Sequence, residues 1–283
     1  MTSCRPLALA VLGSFLFSPS ALAGFKAKKA SNEELVTCLS EQADDVKRQC
    51  MNTIADKQVT EATEALVGLA KEGTTKVLRA HALGTLEKLA VPEAVPAAVH
   101  MAKNDTEPNN RGKALVVLQL LASEADGAPV VVDRMANDTD PSVRRKALAV
   151  AKKVEWAGMD QAMMDHGLGD GDPMVKRDAL YGLIALESQA ARPAIYEATR
   201  SLPEAERTSV VRVWAKNVLP EDVPFLLECL DDSDEDVAVY AARALAAHGD
   251  ASVAPQLREK GKDHGGRRKD EFTDAAKKLE AGK

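Results

Sequence analysis

The sequence predicts an all-α chain of about six to seven stacked helix pairs wound into a solenoid. Three observations lead there. A small residue with apolar partners at i+1 and i+4 recurs at steps of about 32 residues, enough for two helices and their links. An acidic, proline-marked turn recurs at a fixed offset before it. Aromatics make up only 4% of the 283 residues, against 45% hydrophobic overall. Closely stacked helices suit that mix better than a β-sandwich, which leans on β-branched and aromatic residues.

The N-terminus predicts a targeting signal over residues 1–23. Met1–Pro6 carries one charge, Arg5, and the apolar run Leu7–Phe17 is too short for a membrane span of about 20 residues. Ser18-Pro19-Ser20 breaks it, and Ala21-Leu22-Ala23 supplies a small-x-small cleavage pattern, so the mature chain is expected to begin at Gly24. An uncleaved anchor is the competing reading. Cys4 lies before the apolar run and not after it, so no lipid anchor is expected, and no transmembrane anchor remains after cleavage. The predicted location is the periplasm or the extracellular space.

Residues 24–60 read as an N-terminal helical segment or cap. Gly24–Ala30 is a basic leader, expected to be mobile. Ser31 with Glu34 three residues on forms a capping box. Cleavage leaves Cys38, Cys50 and Cys229. In one continuous helix Cys38 and Cys50 stand about 18 Å apart and cannot bond. That helix would carry Leu35, Leu39, Ala43, Val46, Cys50 and Ile54 as its stripe. A hairpin turning near Ala43–Asp45 would bring the two together as a disulfide, which export permits. Cys229 lies in an apolar helical run and is expected to be a buried, inert thiol.

Residues 61–260 are periodic. The small residues are Ala82, Ala114, Ala147, Ala179, Val211 and Ala241. One position on stand Leu83, Leu115, Leu148, Leu180, Arg212 and Ala242; four on stand Leu86, Leu118, Ala151, Leu183, Ala215 and Leu245. Together they make one apolar face. Pro108, Pro141 and Pro173 occupy the first helical turn, where a missing N–H costs little. The position before them holds Thr75, Glu107, Asp140, Asp172, Glu204 and Asp234, suited to capping a positive helix end. Three residues before the small residue come Arg79, Arg111, Arg144 and Lys176, but then Thr208 and Ala238. Pro96, Pro129, Pro193, Pro224 and Pro255 mark the first helices. Residues 261–283 are highly charged and read as a C-terminal cap, with a glycine-bearing link over Lys260–Arg268 and a helix over Glu271–Ala281.

These residues resemble HEAT repeats, particularly the PBS-lyase HEAT-like variety. D-P-S-V-R-R-K-A-L at Asp140–Leu148 and D-P-M-V-K-R-D-A-L at Asp172–Leu180 carry the likeness most clearly. The resemblance implies a right-handed α-α superhelix of the armadillo type with second helices lining its inner face. It implies a binding scaffold more often than an enzyme.

No residue pattern commits the chain to a reaction, a metal or a cofactor. Some HEAT-like enzymes hold two metals with His-Glu pairs; His81, His100, His166, His248 and His264 are scattered, and none precedes Glu. Asp232–Asp236 alternates like a calcium loop, but Val237 and Arg243 stand where Gly and Glu are needed. Asp138–Asp140 and Asp170–Asp172 fail likewise, so these acids read as helix caps. No G-x-S-x-G is present, and nothing supports a lyase-like role beyond the family label.

Net charge is −6, which speaks against nucleic acid as a ligand. Even so, Arg111, Lys113, Arg144, Arg145, Lys146, Lys152, Lys153, Lys176 and Arg177 cluster on successive second helices. Arg79, Arg111, Arg144 and Lys176 read as a structural ladder pairing with neighbouring turns. Arg145, Lys146, Lys152 and Lys153 are the candidate contact patch. Trp156 and Trp214 are candidate anchors, with packing the competing reading for Trp214. The expected function is an exported scaffold that binds another protein along its inner face. The alternatives are an enzyme or lyase-like subunit holding a small ligand, and a polyanion binder.

Overall fold

Helix pairs stack one after another in a two-layer array. The computed structural model describes residues 25–282 apart from 217 and 249, so the signal-peptide reading of residues 1–23 lies outside the described residues. The first layer holds α1 (Asn32–Glu41), α3 (Thr63–Glu72), α5 (Ala94–Asn104), α7 (Glu124–Asn137), α9 (Met159–Ala162), α11 (Arg192–Arg200), α13 (Val223–Glu228) and α15 (Ala254–Lys262). The second holds α2 (Asp44–Lys57), α4 (Lys76–Leu89), α6 (Pro108–Leu121), α8 (Pro141–Ala151), α10 (Pro173–Ala185), α12 (Glu204–Trp214), α14 (Glu235–His248) and α16 (Gly266–Glu280). That makes eight pairs among the described residues, because the N-terminal segment forms a pair ahead of the repeats and the charged tail supplies the second helix of the last. No strand occurs among the described residues, and no helix among them is long and apolar enough to cross a membrane.

Second helices pack against one another along the whole row, whereas first helices beyond α9 touch their neighbours only sparsely. Small residues explain the closeness: Ala82, Ala114, Ala147, Ala179 and Ala241 are all fully buried.

The N-terminal residues differ from a mobile leader. Ala27 and Ala30 are buried, and Lys57 Nζ donates to the Ala30 carbonyl at 2.8 Å. Ser31 and Glu34 form the reciprocal capping box, at 3.2 Å and 2.7 Å. The chain then turns at Gln42 and Ala43, both extended, so α1 and α2 form a hairpin and not one long helix. Cys38 and Cys50 face each other across it, bonded, with Cα atoms 6.6 Å apart.

Predicted caps are in place where a short polar side chain stands at the turn. Thr75 accepts from Leu78 N, Asp140 from Ser142 N, and Asp172 from Met174 N and Val175 N. At Glu107 the longer side chain makes no cap, and Pro203 takes the N-cap place ahead of Glu204. In the first helix of the fifth pair, α9 passes into a π turn over Met163–Gly167. Gly167 is needed there, since a Cβ would fall 2.5 Å from that of Ala179. The final helix begins at Gly266, five residues before the expected Glu271, and buries Phe272, Ala276 and Leu279.

A ladder of arginines ties successive second helices together. Arg79 makes paired bonds to Asp105 at 2.7 and 2.8 Å, Arg111 to Asp138 at 2.7 and 2.6 Å, and Arg144 to Asp170 at 2.6 and 2.8 Å. Each arginine also donates back to its own turn, at the carbonyls of Gly73, Asp105 and Asp138 respectively. Each aspartate accepts in addition from a backbone N–H, that of Glu107, Asp140 or Asp172. Burial by itself would raise these carboxyls, but the arginine and backbone hydrogen bonds outweigh it and hold all three below the usual carboxylate range.

The next rung is missing. Lys176 stands at the arginine place, and the matching acid place in the following turn holds Leu202. The ladder resumes at Arg207, bonded to Asp232 at 2.9 Å through two nitrogens. This corrects the alignment on Val211. The small residue of α12 is Val210, which puts Arg207 on the ladder, Val211 and Trp214 in the core, and Arg212 in solvent.

Candidate interaction surface

Each second helix turns one stripe away from the first layer. With 3.6 residues per turn, positions i, i+4, i+7 and i+11 share that stripe. On α4 these are Val77, His81, Gly84 and Lys88; on α6, Asn109, Lys113, Val116 and Leu120; on α8, Ser142, Lys146 and Ala149, with Lys153 in the turn just past its end. All are exposed or half-buried. Val77 (49%), Leu120 (56%) and Met174 (40%), the exposed large hydrophobics among the described residues, all lie on this face, Met174 opening the stripe of α10.

The candidate patch is divided by this geometry. Lys146 lies on the stripe of α8 and Lys153 in the turn that follows the helix, and both are exposed. Arg145 is turned toward α10 and its Nε bonds Asp178 at 2.6 Å, so its charge is compensated. Lys152 caps the helix C-terminus, one position round from the stripe, and is exposed. Lys113 belongs with Lys146: its half-buried chain crosses to α4, and Nζ donates to the Ala80 carbonyl at 2.6 Å. A Cβ on residue 84 would fall 2.7 Å from that nitrogen, so Gly84 leaves the space it occupies. Burial, reinforced by Lys88 and opposed by Glu87, lowers the lysine's affinity for its proton. His81 is lowered too, by burial and then by Lys113, Arg48 and Lys88; its Nε2 lies 2.9 Å from Asn52 Oδ1.

Reading the sequence for core faces missed Val77, His81, Lys88, Leu120 and Met174. The signal was present, since the same helical period read on the opposite face picks them out.

Other candidates resolve into architecture. Asp138, Asp170 and Asp232 are engaged by arginine, and no group of three or more His, Cys, Asp or Glu among the described residues is placed to hold a metal. Trp214 is fully buried beside Phe225, with centroids 5.3 Å apart, and Phe225 stacks on Tyr196 at 4.7 Å. Trp156 packs over Gly127, where a Cβ would meet its ring at 2.2 Å. Burial pushes the Cys229 thiol up to about 12, so it is protonated and unreactive at neutral pH. Open clefts of about 770 Å³, along Val91, Val95, Val99 and Leu121, and about 670 Å³, along Ala128, Val132 and His166, adjoin first helices α5 and α7.

An all-helical two-layer array with buried small residues at each step and an arginine ladder is a HEAT-like α-solenoid. Residues 64–152 match the family described as HEAT repeats. No curated protein matches the chain in sequence. Among solved structures it is similar to YibA of Escherichia coli, at 16% identity over 90% of this chain and 94% of that one, with a TM-score of 0.54. That likeness shows the fold alone. More distant are the complex of CpcE and CpcF of phycocyanin lyase from Nostoc sp. (14% identity, 92% and 97% covered, TM-score 0.40) and human deoxyhypusine hydroxylase in complex with glycerol (15%, 81% and 99%, 0.39). At those scores neither bears on what this chain does.

Proposed function

We propose that the protein is an exported scaffold that binds another protein along its second-helix face. The observation that carries this reading is the gathering of Val77, Leu120 and Met174 on one face of a continuous helix row. Scattered exposed hydrophobics need no explanation, but exposed apolar side chains concentrated on one surface mark interaction sites. A solenoid supplies that surface without a pocket, which suits an extended partner.

Export is supported by the signal-like pattern of residues 1–23 and by the Cys38–Cys50 pairing, which persists in oxidising compartments. A cleaved chain starts at Gly24 by mass spectrometry. Unfolded without reductant, it shows one titratable thiol, from Cys229. Three thiols and an intact residue 1 contradict export.

The binding reading is tested by affinity capture from the native envelope fraction. Wild-type protein is compared with the variant Val77→Ser/Leu120→Ser/Met174→Ser. A protein enriched by the wild type and lost by the variant supports the reading. Co-purification of a small molecule with no enriched protein favours a ligand-holding subunit instead.

A further inference from the structure

Across α4, α6 and α8 the eleven stripe positions carry Lys88, Lys113 and Lys146, together with His81, and no carboxylate, and Lys153 stands just past the end of α8. Several other cations on the second helices are compensated. Arg145 has Asp178, Arg243 has Glu271, and Arg267 has Asp236. The stripe therefore runs against a chain whose net charge is −6. Its most enclosed cation, Lys113, hydrogen-bonds only a backbone carbonyl, with Glu87 near but not bonded to it. A half-buried ammonium without a carboxylate is unfavourable when the face is empty, and an arriving carboxylate relieves that cost.

Apolar side chains border these cations. Val77 and Met174 stand at the N-terminal ends of α4 and α10, and Leu120 at the C-terminal end of α6. The stripe of α4, α6 and α8 offers no Phe, Tyr or Trp on which a nucleic-acid base would stack, and its one imidazole, His81, is tied to Asn52 at 2.9 Å. Cations interleaved with aliphatic side chains fit a polypeptide that carries both acids and hydrophobics. Packed helices lie about 8–10 Å apart. A polyproline-II segment advances about 9 Å per turn of three residues, so its every third side chain meets successive helices.

We propose that the solvent stripe of α4, α6 and α8 is the docking groove for an acidic, apolar-bearing polypeptide segment laid across the helices in extended form, with acids at every third residue meeting Lys113 and Lys146. This rests on the scaffold reading above and adds the chemistry of the partner. Neutralisation by Lys113 and Lys146 sets the register, and Val77, Leu120 and Met174 take the partner's apolar side chains.

The test is fluorescence anisotropy with a labelled peptide of five Glu-Pro-Leu repeats. It is run against a peptide of the same composition with its glutamates grouped at one end, and against a single-stranded oligonucleotide of equal charge. The repeat peptide binds more tightly than either. Lys113→Glu/Lys146→Glu weakens it about tenfold or more, as expected for reversal of charges facing an opposite charge. Lys146→Glu/Lys153→Glu, which touches only exposed residues, weakens it in the same direction and covers the case in which the first variant folds poorly. The control Lys262→Glu/Lys277→Glu, with the same change of charge elsewhere, leaves binding within twofold. Equal binding of the oligonucleotide, equal loss in the control, or no binding of the repeat peptide overturns the proposal. So does retention of the natural partner by Lys113→Glu/Lys146→Glu when Val77→Ser/Leu120→Ser/Met174→Ser releases it, a result that leaves the scaffold reading standing.

Discussion

The two halves of the second-helix row use charge in opposite ways. From α4 to α8, arginines at the helix starts are locked to buried aspartates, while the lysines of the solvent stripe make no ion pair among the described residues. From α10 to α16 the ladder skips the Lys176–Leu202 rung, keeps Arg207–Asp232, and is joined by cations that meet acids across the surface, as in Arg243–Glu271 and Arg267–Asp236. One repeat thus supports two arrangements. Where charge is buried at the turn it fixes the register between units, and the outer face is left free for recognition. Where it is spent between outer faces, less uncompensated surface is left to attract a charged partner.

The largest expected difference between the halves lies in stability. Arg111→Met strands Asp138, whose side chain is fully buried, and costs about 3 kcal/mol. This is the low end for a broken buried pair, because Arg134 still lies 3.3 Å from Asp138. Arg243→Met breaks an exposed pair and costs less than about 1 kcal/mol. Denaturant midpoints for the two variants measure the contrast, and equal losses would erase it.

A smaller effect concerns the skipped rung. Leu202→Asp alone removes a buried apolar side chain, and Lys176→Arg alone gains no acid. Combined, they rebuild the bidentate pair, with a coupling energy of about 1–2 kcal/mol in a double-mutant cycle. Additive behaviour would mean that the gap between α10 and α12 has a cause other than these two side chains.

The subtlest effect is on pH dependence. Asp105, Asp138 and Asp170 bind protons less readily when folded than the roughly 3.9 of an unfolded aspartate. Their contribution is complete above that value and is lost as the pH falls through the lower folded values. Unfolding free energy is expected to be insensitive to these groups from neutrality to about pH 5, then to decline below about 4. Asp105→Asn flattens part of that decline; an unchanged acid limb would show that the first rung does not set it.

Much of this was legible because it is local or periodic. The capping box at Ser31 and Glu34, the caps at Thr75, Asp140 and Asp172, and the arginines at 79, 111 and 144 each follow from spacing within a few residues or one repeat. What escaped depends on contacts a full repeat away. The register of α12 is settled by Asp232, 25 residues beyond Arg207. Around Arg207, Thr208 and Arg212 the local pattern admits a slip of one. Arg145 looked as free as Lys146 until α10 placed Asp178 beside it. The leader residues Ala27 and Ala30 are too short and too few to announce burial, yet they pack on the core beside α2. Val77 and the outward placement of His81 are not marked by a hydrophobic period, which picks out only the face turned inward.

The central claim is that the free cations of α4, α6 and α8 form the surface that meets a partner. Amine-reactive footprinting read by mass spectrometry tests it directly, comparing the protein alone with the protein bound to the Glu-Pro-Leu repeat peptide. The account predicts slowed labelling of Lys88, Lys113, Lys146 and Lys153 on binding, with Lys71 and Lys103 of the first helices and Lys262 and Lys277 of the last pair unchanged. Protection of Lys71 and Lys103, with the stripe lysines labelled as fast as in the free protein, would contradict it.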